Sequence, residues 1–164
     1  MRLKFFVAPQ PNYLFWFVAI TGLILDQKSK DWVVLTFQEP GQTWPLIPQV
    51  FHFTYVLNTG AAFSAFRGGA GWLKWLSLGV SFALMIFAWK TPKLSRLEQI
   101  AYGCLLAGAL GNGLDRFFLG HVVDFLDFRL INFPVFNLAD VLINLGMIGL
   151  LLAHFPRSSV SPRP

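Results

Sequence analysis

Four long apolar runs, divided by two extended polar connections and one short cationic one, organise the chain. The first covers about residues 12–31, opening as NYLFWFVAITGLIL and reaching Asp26 near its end. The second, GWLKWLSLGVSFALMIFAW at 71–89, holds one charged residue, Lys74. The third spans about 97–116 and the fourth about 138–155. Each approaches the ~20 residues with which a helix crosses a ~30 Å hydrocarbon core. The third is the weakest, because Asn112, Asp115 and Arg116 occupy its end. This pattern predicts an all-α membrane protein, one domain over 1–164, with four transmembrane helices.

The two long connections read differently from the helices. In WPLIPQVFHFTYVLNTGAAF the β-favouring run Val50 to Val56 predicts a small surface sheet within about 32–70. The segment VVDFLDFRLINFPVF, within about 117–137, is likewise β-like or interfacial. Arg2 and Lys4 precede the first run as in a signal peptide, but Pro9 and Pro11 interrupt it and no small-residue cleavage site follows, so an uncleaved span is expected.

Composition agrees with lipid as the solvent: 55% of residues are hydrophobic, 13% are charged, and mean hydropathy is +0.56. The net charge of +5 comes without a basic stripe interleaved with aromatics, which speaks against nucleic acid. Cations instead flank the spans. The turn KTPKLSR at 90–96 is dense in them, which predicts that this turn and both termini face the cytoplasm. A single cysteine, Cys104, excludes an intramolecular disulfide and a cysteine metal cluster.

Against this background the acids are scarce, eight in 164 residues, and Asp115, Asp124, Asp127 and Asp140 gather in one short region. On the third span Asn112, Asp115 and Arg116 fall at i, i+3 and i+4, one helix face. The same span repeats Gly103, Ala107 and Gly111, a small-residue stripe that lets a neighbouring helix approach. On the fourth, Asn137, Asp140 and Asn144 share a face, with Asn137 also suited to an N-cap. Asp26 and Lys30 are spaced i, i+4 as a helix pair. Asp115 and Arg116 could neutralise one another, but ionisable groups at membrane depth normally face a protein interior or a wet cavity. Histidines 52, 121 and 154 are isolated, and neither G-x-S-x-G nor H-E-x-x-H occurs, so a serine or cysteine triad and a zinc protease lack support. Paired carboxylates remain, of the kind that share one proton and activate a water.

The motifs DQKSK, NTGAAFS, GNGLDR with VVDF, and FNLAD, from Asp26 to Asp140, resemble those of lipoprotein signal peptidase, signal peptidase II, in order and spacing. The resemblance implies four membrane helices with both termini cytoplasmic, a periplasmic sheet, and an aspartic endopeptidase of the bacterial inner membrane. It implies Asp124 and Asp140 as the catalytic pair. Asn58, Asn112, Arg116, Asn137, Asp26 and its helix partner Lys30 would line or brace the site, and Asp115 would support the fold around Arg116. The implied substrates are prolipoproteins cut before a diacylglyceryl-cysteine, with membrane lipids as surroundings and no metal or organic cofactor. Ser29 and Gly113 depart from the residues usual in that family, and Asp127, matching no catalytic position, reads as a solvated loop acid. A proton channel or a non-catalytic assembly subunit would also use intramembrane Asp and Arg. The channel would spread polar residues through the membrane depth, and the subunit leaves the Asp124/Asp140 pair without a role.

Overall fold

Long apolar runs without internal proline satisfy their own backbone hydrogen bonds, so each becomes a helix up to the first effective breaker. The computed structural model describes residues 12–60 and 70–154. Arg2, Lys4, Pro9, Pro11, Arg157, Arg163 and the AAFS half of NTGAAFS lie outside them. Among the described residues the order is α1 (Tyr13–Thr36), β1 (Thr43–Ile47), β2 (Phe51–Asn58), α2 (Ala70–Lys90), α3 (Arg96–Phe118), β3 (Val122–Phe128) and α4 (Leu138–His154). The first helix runs past the expected end near 31, since DWVVLT contains no breaker, and stops where Phe37 turns extended ahead of Pro40 and Gly41.

Helix α3 is the centre against which the others pack. Its start is fixed by a capping box: Ser95 Oγ accepts from Glu98 N at 3.3 Å and Glu98 Oε2 accepts from Ser95 N at 2.8 Å. The small-residue stripe does what its spacing predicts. A Cβ on Gly103 would lie 2.8 Å from the Phe15 carbonyl oxygen, and one on Gly22 would lie 2.8 Å from the Ala107 methyl. Bare Gly111 leaves room for the Asp26 carboxylate. On another side Gly108 admits Ala139 and Ile143 of α4, while Gly146 and Gly149 of α4 admit Leu105 and Ala101. Phe15, Ala19, Ala88 and Leu106 form the buried cluster shared by α1, α2 and α3. Asn12 ties the far ends together, donating to Ala88 O (2.9 Å) and accepting from Leu94 N (2.9 Å).

The outward faces of this bundle are greasy: Ile20, Leu35, Phe82, Trp89, Leu151 and Leu152 are each more than half exposed. Among the described residues, α2 is the one helix both long and apolar enough to cross a membrane by itself, with a mean hydropathy of 1.5. Helix α4 is apolar but 17 residues long. Helices α1 and α3 fall short: Asp26, Lys28, Lys30 and Asp31 crowd the second half of α1, and α3 adds Gln99, Asn112 and several glycines to the charges at its two ends.

The predicted surface sheet forms in the order β1-β2-β3, antiparallel throughout. It packs on the end of α1 through Val33, Phe37, Tyr55, Val123 and Phe125. Gly120, at φ +77°, provides the turn by which the chain leaves α3 and enters β3. Phe136 then hydrogen-bonds back onto β3, its N–H reaching Leu126 O at 3.1 Å and its carbonyl accepting from Phe125 N and Leu126 N. That stitch sets the start of α4 beside the middle of β3.

Candidate active site

Lys30 sits at the centre of a buried ionic cluster. Its ammonium lies 2.9 Å from Asp26 Oδ2 and 2.9 Å from Asp115 Oδ2, and donates to Asn112 Oδ1 at 3.1 Å. All three of its donors are thereby used. Gln27 bridges the same two acids, donating to Asp26 Oδ2 (3.2 Å) and Asp115 Oδ1 (3.0 Å). The remaining lone pairs hold backbone in place. Asp26 Oδ1 accepts from Ala139 N (2.8 Å), an otherwise unpaired donor at the start of α4, and Asp115 Oδ2 accepts from Val123 N (3.3 Å) in β3. Two sequence-distant carboxylates thus fix the elements that carry Asp124 and Asp140.

Those two acids are ligated by amides. Asn58, diagonal to Asp124 across the β2–β3 pair, donates to Asp124 Oδ2 at 2.8 Å, and Asn137 Nδ2 donates to Asp124 Oδ1 at 2.6 Å. Asp140 Oδ1 accepts from Asn112 Nδ2 (2.9 Å) and its Oδ2 from Asn137 N (3.2 Å). Asn137 also donates to Asn112 Oδ1 (3.0 Å), so one hydrogen-bonded chain joins Asp124, Asn137, Asn112 and Asp140. The orientation of Asn112 follows from Lys30: an ammonium has only donors, so it must meet Oδ1, and Nδ2 is left to face Asp140.

Asn58, Asn112, Arg116, Asp124, Asn137 and Asp140 all line one cavity of about 1250 Å³. Its other walls are apolar and include Val56, Val122, Phe133, Phe136, Ile143 and Met147. Arg116 donates to Asn112 O (3.2 Å) and Gly60 O (3.1 Å), while its Nε is buried without a partner among the described residues. Burial pushes the Asp124 carboxyl up to about 7, the Asn58 donor working against it and the Asp140 carboxylate adding to it. Two carboxylates and a guanidinium around an apolar cavity can bind a peptide group and activate a water on it.

Several sequence expectations need correction. Asp115 neither neutralises nor braces Arg116 through a direct hydrogen bond or ion pair. Neighbouring side chains on a helix point about 100° apart, and Asp115 turns inward to Lys30. Asp127 is no solvated loop acid. It is a buried residue of β3 that accepts from Thr54 Oγ1 (2.6 Å) and pairs with Arg129 (3.0 Å). Asn137 caps α4 and also lines the cavity, its Oδ1 accepting from Asp140 N at 3.1 Å while Asp140 returns the bond. Asp140 therefore stands at the reciprocal position of a capping box. Sequence reasoning missed Gln27. A glutamine beside Asp26 carries no periodic signal, and its second acid arrives from another helix.

A sequence profile described as signal peptidase (SPase) II matches residues 18–156. The lipoprotein signal peptidase of Synechocystis sp. is 68% identical, covering 94% of each chain, and that of Microcystis aeruginosa is 67% identical over 92% of this chain and 97% of its own. Two solved structures, each described as a bacterial membrane enzyme, share the fold. One superposes with a TM-score of 0.81 at 29% identity over 100% of this chain and 98% of its own. The other gives 0.77 at 30% identity over 96% of this chain and 99% of its own.

Proposed function

The chain belongs to the signal peptidase II family, peptidases that remove signal peptides from prolipoproteins, and from that membership we propose that it is an aspartic endopeptidase acting through Asp124 and Asp140. The observation that carries this reading is the placement of both carboxylates on one cavity wall, held by amides and free of any ion pair among the described residues. In the proposed cycle a water lies between them. Asp140 takes a proton from it as the oxygen attacks the scissile carbonyl, and Asp124 gives its own proton to the carbonyl oxygen. When the tetrahedral adduct collapses, the C–N bond breaks, Asp140 passes the proton to the leaving amine, and Asp124 recovers the other. Asn58, Asn112 and Asn137 hold the pair. Asp26, Lys30 and Asp115 fix its supporting elements, and Arg116 meets a substrate carbonyl with its unpartnered donor.

The bond cut is the one before a diacylglyceryl-modified cysteine. Apolar walls suit the acyl chains, each methylene buried contributing ~0.8 kcal/mol. All four helices cross the bacterial inner membrane in this reading, with both termini cytoplasmic. The sheet and cavity lie towards the periplasm, and the exposed apolar faces of the bundle meet lipid. The test is cleavage of a lipidated prolipoprotein by purified protein in detergent, beside the same precursor without lipid. The expected result is a much faster cut of the lipidated form, immediately before its cysteine. Equal rates for the two precursors, or a product cut elsewhere, would overturn the lipoprotein assignment.

A further inference from the structure

Asn144 is the cavity-lining polar residue of α4 that the proposed cycle leaves unused. It lies one turn beyond Asp140, on the face that sends Asp140, Ile143, Asn144 and Met147 into the cavity. Its Nδ2 donates to the Asp140 carbonyl oxygen at 2.8 Å. Only the nitrogen of that amide can serve a carbonyl, so Oδ1 is the atom left over. Among the described residues Oδ1 has no partner, and Asn144 is exposed. Once a substrate fills the cavity and displaces water from Asn144, that acceptor needs a donor from whatever fills it.

Resting on the function proposed above, we infer that Asn144 Oδ1 accepts a main-chain N–H of the signal peptide just before the scissile bond, and so helps to hold that segment extended. The donor has to be peptide. A diacylglyceryl group offers ester oxygens and no N–H, so lipid cannot complete Asn144. Peptide, in turn, has a donor to spare. A helical signal peptide bonds its own N–H groups, but the stretch entering the dyad must unwind, and each N–H released in an apolar setting needs an acceptor. Position gives the register. Four residues of α4 rise about 6 Å, which an extended peptide covers in about two residues. The N–H concerned therefore belongs to the residue about two before the cleaved bond.

The experiment pairs enzyme variants with modified substrates. Lipidated precursor peptides carrying a single N-methyl group, scanned over the four residues before the bond, are cleaved by the wild-type protein, Asn144→Leu and Asn144→Gln in detergent, with kcat and KM determined separately. Loss of one neutral hydrogen bond predicts a KM raised about three- to tenfold in Asn144→Leu, with kcat little changed and thermal stability retained. N-methylation near the second residue should raise KM in the wild type and add nothing in Asn144→Leu, while the other positions act independently of the variant. Asn144→Gln keeps an amide displaced by one methylene and should fall between. Unchanged KM in Asn144→Leu, or independent effects at every position, overturns the assignment. If the wild type cleaves and Asp124→Asn does not, that failure leaves the aspartic reading standing.

Discussion

The molecule sets two pairs of aspartates a few side chains apart, and it treats them in opposite ways. Asp26 and Asp115 share Lys30 and Gln27, and their other oxygens cap backbone N–H groups of α4 and β3. Asp124 and Asp140 receive one amide or backbone donor on each oxygen, no cation, and face the cavity. Charge compensation fixes the first pair as structure. With no cation beside the second pair, a shared proton relieves the repulsion that two carboxylates so close would feel. Asn112 joins the two regimes, taking its orientation from Lys30 on one side and presenting its donor to Asp140 on the other.

The largest effects expected are at the outer pair. Asp124→Asn and Asp140→Asn should each lower cleavage by several orders of magnitude, and the double variant should be little worse than either, as for groups acting as one unit. Stability should move the other way at Asp124. Its folded carboxyl sits at about 7 against an ordinary 3.8. Between those values the folded state holds a proton that the unfolded chain has shed, so the acid's stabilising contribution is lost as pH rises through about 7. Asp124→Asn should therefore melt at or above the wild-type temperature at pH 8 in detergent. Appreciable turnover in a folded single variant would end the assignment.

Lys30→Met strikes the inner pair and should reverse that pattern. Two buried carboxylates lose their common cation, a change that costs about 3–5 kcal/mol when one partner of a buried ion pair is removed. A lower melting temperature, together with poor recovery of folded protein, is the expected outcome. If Lys30→Met melted like the wild type, the division between a structural and a chemical pair would not hold.

The sequence made one side of this contrast easier to read than the other. Spacings of three, four and seven residues placed Asn112, Asp115 and Arg116 on one face of α3, and Asn137, Asp140 and Asn144 on one face of α4. Local period was enough to name the faces, and the small-residue stripe on α3 named its packing side. What period cannot supply is the partner. Lys30 reaches Asp115 only because α1 and α3 close on Gly22 and Gly111. Asp127 looked like a loop acid because its burial depends on a β2–β3 register that puts it opposite His52. Hydropathy marked the first, second and fourth runs plainly and the third less so, since Asn112, Asp115 and Arg116 lie at its end.

Gly111 tests how closely the inner cluster must fit. A methyl group there would collide with the Asp26 carboxylate and come within 3.3 Å of Ala139 Cβ. Neither can yield freely, since Asp26 is held by Lys30 and by the start of α4. Gly111→Ala should therefore destabilise the fold by about 1–3 kcal/mol, read as a fall in melting temperature, with a smaller loss of cleavage through displacement of α4. Gly79, with nothing near its Cβ position, provides the control: Gly79→Ala should do no harm.

The smallest expected effect separates the pairs by pH. Cleavage in the proposed cycle needs one proton on the outer pair, and Asp124, pushed up by burial to about 7, is the group that carries it. Above that pH the proton leaves, so kcat/KM should fall along a basic limb near 7. Asn58 Nδ2 donates to Asp124 Oδ2 and favours the charged form. Removing that donor in Asn58→Ala should raise the carboxyl further and carry the limb upward by about half to one pH unit, the equivalent of one hydrogen bond. Lys30 ligates the other pair, so whatever activity survives in Lys30→Met should show a less displaced limb. The measurement is kcat/KM for lipidated precursor between pH 5 and 9 in one detergent. A limb that stays put in Asn58→Ala, or moves down, would mean that the proton needed for cleavage is not on Asp124.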